Sequence, residues 1–298
     1  MFLTKIKICV MRIFVLGGLL QLPNAYAENY LFPTDIVDKG RFDVQAGYGK
    51  FNNKQDIGVD IPLGVPFGTL NARGSTKYTE VAEFVGVRYG FADSWHLAVV
   101  LPHLTVSREE VSDHGGAFKF KEQENNYNKN RNLELSVKHR FIGDSTSPFS
   151  LTAAVIMAPS TANRSYSSIA TNVSAGWRLN DSLRTYVGYN AEFYDREQIS
   201  DMHSLLAGAY KQVSKNLTLV PHARFNYFLS SNDDSIPLVS FRTNLNAGLS
   251  AQWQLFRNTY LIPDVSFVHT SDYVSGSHID VSDSNDGRSY SLSLYHLF

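Results

Sequence analysis

Gly287-Arg-Ser-Tyr-Ser-Leu-Ser-Leu-Tyr-His-Leu-Phe298 alternates two kinds of side chain: Tyr290, Leu292, Leu294, His296 and Phe298 share one face, and Ser291, Ser293, Tyr295 and Leu297 the other. Residues two apart on a strand project to the same side, so one face of this segment meets an apolar phase right up to the final aromatic. A water-soluble sheet seldom finishes on such a strand. A sheet closed on itself in lipid must, because every second position of its last strand faces hydrocarbon.

The same period runs through the rest of the chain. In Val239–Trp253, Val239, Phe241, Leu245, Ala247, Leu249, Ala251 and Trp253 line up with Thr243, while the intervening residues are polar or glycine. Leu133, Leu135, Val137, His139 and Phe141 stand against Asn132, Glu134, Ser136, Lys138 and Arg140. Twelve segments read as strands on this basis: 41–51, 76–90, 95–107, 131–142, 148–158, 168–179, 183–194, 202–213, 217–229, 238–255, 259–269 and 287–298. Their connections alternate strictly. Short turns (91–94, 143–147, 180–182, 214–216, 256–258) take turns with longer links (52–75, 108–130, 159–167, 195–201, 230–237, 270–286). An even strand count with short turns on one side and long loops on the other predicts an all-β fold: a transmembrane, antiparallel up-and-down β-barrel of 12 strands in the bacterial outer membrane, with the short turns in the periplasm. The rival is a soluble β-sandwich.

Aromatic placement discriminates between the two, since amphipathic rings gather at membrane interfaces. Trp95, Trp177 and Trp253, with Tyr89, Phe141, Phe149 and Phe298, fall beside the short turns on the predicted lipid face, and Phe193, Tyr227, Phe241, Phe267 and Tyr290 fall at the opposite ends. Pro102, Pro221 and Pro263 lie within strands, where each removes a ladder hydrogen bond and predicts a bulge or bend. In 202–213, Leu205, Ala207 and Ala209 compete with Leu206, Gly208 and Tyr210 for the outer face, and the parity stays open.

Residues 1–27 read as a cleaved signal peptide: Lys5, Lys7 and Arg12 precede the apolar run Ile13–Leu20, and Ala25-Tyr26-Ala27 offers a cleavage site. The domain plan is then 1–27 signal peptide, 28–40 a short periplasmic or plug segment, and 41–298 the barrel. Cleavage removes Cys9, the sole cysteine, so no disulfide is expected, and it leaves 24 basic against 28 acidic residues. That balance gives no reason to expect nucleic acid. Nine dispersed histidines without ligand spacing, and no glycine-rich phosphate loop, predict no metal and no cofactor.

A family resemblance rests on Phe32-Pro33-Thr34-Asp35 with Lys39-Gly40-Arg41, on Tyr89-Gly90-Phe91-Ala92-Asp93-Ser94-Trp95, and on Leu101-Pro102. Over residues 31–105 the chain resembles the outer-membrane transporter family named for the MetA-pathway of phenol degradation. The later strands match it in pattern only. The resemblance implies passage of small, including aromatic, solutes.

Chemistry on the polar face would decide the function. Arg88, Lys138, Arg140, Arg178 and Arg184 lie near the short-turn ends and Arg224 and Arg242 higher, against Glu134, Glu192 and Asp264. Lining a lumen, they make either a basic constriction that favours anions or a salt-bridged filling. The expected function is a passive channel for small solutes, aromatic or anionic among them. The alternatives are a lipid hydrolase using His269 and Ser271, oriented by Asp283 or Asn285, and a structural or adhesive barrel without an open pore. Expected partners are the bilayer, a small-molecule solute, lipopolysaccharide through Lys119, Lys121, Lys129 and Arg131, and the barrel-assembly machinery through the strand ending at Phe298. Leu31-Phe32-Pro33 either tucks into the lumen as a plug or belongs to a periplasmic tail.

Overall fold

The computed structural model describes residues 32–298 apart from 65–67, 112–122, 131–132, 145, 161–166, 196–200, 230–241, 271–279 and 283–284. For 53–64, 68–78, 104, 106–111, 123–130, 242, 280–282 and 285 it describes the backbone alone. Its strands are β1 Phe42–Gly64, β2 Gly68–Ala92, β3 Trp95–Val111, β4 Gln123–Asn130, β5 Glu134–Ile142, β6 Phe149–Ala158 and β7 Ser168–Asn180. They continue with β8 Leu183–Tyr194, β9 Met202–Ser214, β10 Leu217–Phe228, β11 Arg242–Phe256, β12 Thr259–Thr270, β13 Asp280–Ser282 and β14 Asn285–Leu297. Each stave pairs antiparallel with the next, and β1 pairs with both β2 and β14, which closes the ring. Segment β4 pairs with β3 above β5, and β13 pairs with β1 above β14, so each prolongs a stave. The result is a closed antiparallel barrel of twelve staves, with no edge left to satisfy.

Burial follows the dyad. Along β7 the residues from Ala170 to Gly176 are alternately buried and outward-facing. Outward, Val85, Leu101, Val173, Leu249 and Phe267 are exposed, and the rims carry Trp95, Trp177, Trp253, Tyr89, Phe141 and Phe298 at one end and Phe193, Phe267 and Tyr290 at the other. In water this shell would be untenable; in a bilayer it is the matching surface, and the barrel is of the outer-membrane type, with the short turns on the periplasmic side. The parity of β9 is now resolved. Leu205 is 59% exposed and Ala207 also faces out, whereas Ser204 and Tyr210 are buried and Leu206 packs against an inner cluster.

Two expected loops prove to be partly strand. The links 52–75 and 108–130 contain a paired β1–β2 ribbon up to Gly64↔Gly68 and a β3–β4 ribbon from His103↔Asn130 to Glu110↔Gln123. Ladder pairing thus runs on past the segments that the sequence marks as strands, and in β1 the alternation does too, with Ile57, Val59 and Ile61 set against Asp56, Gly58 and Asp60. Pro102, Pro221 and Pro263 each coincide with a gap in one ladder. Pairing of β3 breaks at Leu101 and Pro102 between its β5 and β4 partners, β9–β10 at Val220 and Pro221, and β11–β12 at Ile262 and Pro263. Register shifts also sit beside the short turns, where Ser94, Gly143 and Asn258 have φ of 66°, 67° and 64°.

Candidate pore and its inner lining

The inward residues at the periplasmic end are charged, and most of the charges are matched. Arg88 and Asp43 are 3% and 0% exposed and joined at 2.8–3.1 Å through Nε and Nη2. The Tyr295 hydroxyl donates to the same Asp43 at 3.1 Å, and the Arg88 guanidinium lies 5.7 Å from the Tyr295 ring centre. Arg184 pairs with Asp35 at 2.8 Å, and Arg178 with Asp181 at 3.0 Å. The acids that answer these arginines are therefore Asp43, Asp35 and Asp181. Asp264 instead accepts hydrogen bonds from His222 at 2.7 Å and from Ser250. Arg140 is the exception: its Nε is buried without a hydrogen-bond partner among the described residues. Arg224, 8% exposed, donates to Asn226 at 2.8 Å and Ser204 at 3.1 Å. Glu134 is half-buried on β5 and Glu192 buried on β8, while the side chain of Arg242 lies outside the described residues.

Residues 32–37 run inside this end of the barrel, and 38–40 emerge to the surface. Phe32, 3% exposed, packs edge-on against Tyr186 and Tyr210 with ring centres 5.9 and 5.1 Å away, and the Arg184 guanidinium lies 3.7 Å from its centre. Lys138 donates to the Pro33 carbonyl at 2.6 Å, Thr34 and Ser150 share a hydrogen bond, and the Val37 amide donates to His96 Nδ1 at 3.3 Å. Glycine permits the approach at two places. A Cβ at Gly176 would stand 2.3 Å from the Phe32 ring, and one at Gly90 would stand 2.1 Å from the Asp38 carbonyl oxygen. The Gly40 amide then bonds the Gly90 carbonyl at 2.7 Å, tying the segment to β2 before β1 begins.

Further up, one register row crosses six staves with polar uncharged side chains: Asn172↔Asn190↔Ser204↔Asn226↔Asn244↔Thr270. Ser204 donates to Asn226, Asn226 to Asn244 and Asn244 to Thr270 at 2.8, 3.4 and 3.2 Å. On the other wall Phe84, Val100, Ile262 and Tyr295 form a buried cluster with Tyr260 and Leu297 against it. Neither the amide row nor this cluster stood out in the sequence. The row needs the register, because its four asparagines, one serine and one threonine are scattered over nearly a hundred residues of chain.

Of the hydrolase candidates, His269 faces outward near the outer rim and its Nδ1 lies 2.7 Å from Asp286 Oδ1, directly opposite in register. Asp286 thus takes the place expected for Asp283 or Asn285; Ser271 and Asp283 lie outside the described residues, as do Lys119, Lys121 and Arg131 and the side chain of Lys129. Among the described residues no three His, Cys, Asp or Glu side chains cluster as metal ligands.

No protein-family model and no curated protein matches the chain. Solved structures do. An outer-membrane channel from Pseudomonas putida F1 superposes with a TM-score of 0.56 at 10% identity, over 89% of this chain and 98% of that one. The NanC porin gives 0.47 at 10% identity over 86% and 98%, and the TodX deltaS2S3 mutant monoaromatic hydrocarbon channel 0.47 at 8% over 92% and 94%. The likeness to the first of these is one of fold, and it agrees with the twelve-stave outer-membrane barrel derived above.

Proposed function

We propose that the protein is an outer-membrane channel for small solutes, closed at its periplasmic end by residues 32–38. One observation carries this reading: a segment continuous with β1 lies within the barrel and is held by side chains of five different staves (His96, Lys138, Ser150, Arg184 and Tyr210). A barrel filled only for stability would be packed by its own inward side chains. Here a separate piece of chain supplies the filling, through contacts that can be given up together. The preceding residues, 1–27, are read as a removed signal peptide. The resemblance noted for residues 31–105 favours aromatic solutes. An apolar cluster around Phe84 and Tyr295 and, higher on the wall, an amide row together suit a small ring with a polar substituent. Because Arg88, Arg178 and Arg184 are paired, anion preference falls chiefly to Arg140.

Planar-bilayer recording is the test. Deleting 32–38 should raise single-channel conductance several-fold, and Arg140→Ser should then move the reversal potential in a salt gradient towards cations. Equal conductance with and without the segment would overturn the plug. An impermeable barrel in both forms would overturn the channel.

A second reading, a lipid hydrolase, draws on the His269–Asp286 bond, which orients an imidazole at the lipid rim as a general base requires. Phospholipid turnover by pure protein that is lost in both His269→Ala and Ser271→Ala would establish it; its absence from the parent would dismiss it.

A further inference from the structure

Two cations stand side by side on the outward face, and neither is paired with a carboxylate among the described residues. In register, Lys50 of β1 faces Tyr290 of β14, and Arg288 of β14 faces Asn52 of β1 on one side and Phe267 of β12 on the other. Lys50 and Arg288 are therefore diagonal neighbours across one strand pair, with Cα atoms about 7–8 Å apart. Both are exposed, and among the described residues neither forms an ion pair. The nearby acids are Asp286, hydrogen-bonded to His269, and Glu83 of β2, diagonal to Lys50; neither makes an ion pair with Lys50 or Arg288.

Their height on the wall identifies what they meet. Toward the periplasm on the same strands, Tyr48, Leu292, Leu294 and Val265 are exposed to hydrocarbon, so the pair caps the apolar band on the side of the long connections. The Arg288 guanidinium is 5.8 Å from the Phe267 ring centre, which holds it at the rim. Long basic side chains at this level send their charge to the headgroups. Asp286 and Glu83 flank the two cations without pairing with either, so an anion seated between Lys50 and Arg288 relieves their repulsion more directly. Phosphate suits the gap: it accepts a two-pronged contact from a guanidinium and a point contact from an ammonium.

We infer that Lys50 and Arg288 seat a phosphate of the outer-leaflet glycolipid lipid A, whose acyl chains lie over Tyr48, Tyr290 and Phe267. The site is independent of whether the lumen conducts.

Thermal unfolding of the full chain in neutral detergent, titrated with bisphosphorylated lipid A, with enzymatically dephosphorylated lipid A and with phosphatidylglycerol, tests the assignment. Lipid A should raise the midpoint. Lys50→Gln/Arg288→Gln should weaken apparent binding roughly tenfold, about 1.4 kcal/mol. The charge-keeping exchange Lys50→Arg/Arg288→Lys should stay within about threefold of the parent, by the charge-contact argument. The midpoint without lipid shows that each variant folds, and Lys50→Gln alone serves if the double variant does not. Equal stabilisation by dephosphorylated lipid A, or an unaltered response of the glutamine variant, would overturn the phosphate seat. Equal stabilisation by phosphatidylglycerol would overturn the choice of glycolipid.

Discussion

Asp43 is the inner residue on which most depends. It is 0% exposed, accepts from Arg88 and Tyr295, and sits where β1 meets both β2 and β14. Removing one partner of a buried ion pair strands the other charge, which costs about 3–5 kcal/mol, far more than the pair's net worth. Asp43→Ala should therefore destabilise the barrel by about that much in urea titrations of protein refolded into lipid vesicles, whereas Tyr295→Phe, which loses a single hydrogen bond, should cost about 1–3 kcal/mol. A loss below about 1 kcal/mol for Asp43→Ala would mean that water reaches Arg88 and solvates it. Gly176 offers a second test at this scale. A methyl group there meets the Phe32 ring, so Gly176→Ala should dislodge the segment and raise conductance as deletion does, while leaving the β6–β7 ladder intact. Unchanged conductance would show that Phe32 has another place to go.

Among the elements, the hairpin joining β5 to β6 shows how a turn is fixed from its side chains. Asp144 Oδ1 accepts from the hydroxyls of Thr146 and Ser147 and from both their amides at 2.7–2.9 Å. These bonds, that of the Thr146 hydroxyl foremost, hold the carboxyl well below the ordinary carboxylate range. A lowered folded value means that the contribution is complete at neutral pH and is lost only as pH falls through that depressed value, so the turn should keep its amide protection against hydrogen exchange at pH 4. Asp144→Ala should lose that protection at every pH. The staves themselves were legible in the sequence because bilayer and lumen impose opposite demands on alternate residues. Ten of the twelve predicted segments coincide with a strand to within a few residues, and the other two, 41–51 and 76–90, are parts of the longer strands β1 and β2. The ribbons that prolong β1–β2 and β3–β4 were missed because 52–75 and 108–130 are rich in glycine, asparagine and charge, although Ile57, Val59 and Ile61 carry the period of β1 onward. Partners on the neighbouring strand were hidden too: parity says that Arg88 points inward but not that the β1–β2 register sets Asp43 beside it. Asp35 and Thr34 lie in a segment with no period at all, so their burial could be read only from the fold.

For the molecule as a whole, closure is the decisive event, and it is made between the two ends of the described chain. β1 and β14 pair from Asp43↔Leu297 to Gln55↔Asn285, the Phe298 amide donates to the Phe42 carbonyl at 2.9 Å, and Arg41 Nε donates to the Phe298 carbonyl at 3.1 Å. Outside the ladder the rings of Phe42 and Phe298 stack with centres 4.6 Å apart and planes 11° from parallel. In lipid an open seam would leave a row of amides and carbonyls unpaired, each costing several kcal/mol, so partial closure is hardly more stable than none and the first contact to form governs the rest. The ring stack, in the interfacial zone at the base of the seam, is suited to be that contact. Phe298→Ser should accordingly lower the rate and yield of refolding into vesicles, read as the fraction of protein that migrates as the compact, heat-modifiable form, while barrels that do close keep the parent's conductance because Phe298 faces away from the lumen. Phe298→Trp, which retains a stacking surface, should restore the yield. Should the serine variant close as fast as the parent, the seam would be nucleated elsewhere along its thirteen paired positions, and the Asp43–Arg88–Tyr295 cluster, which spans the same three strands from inside, would be the next place to look.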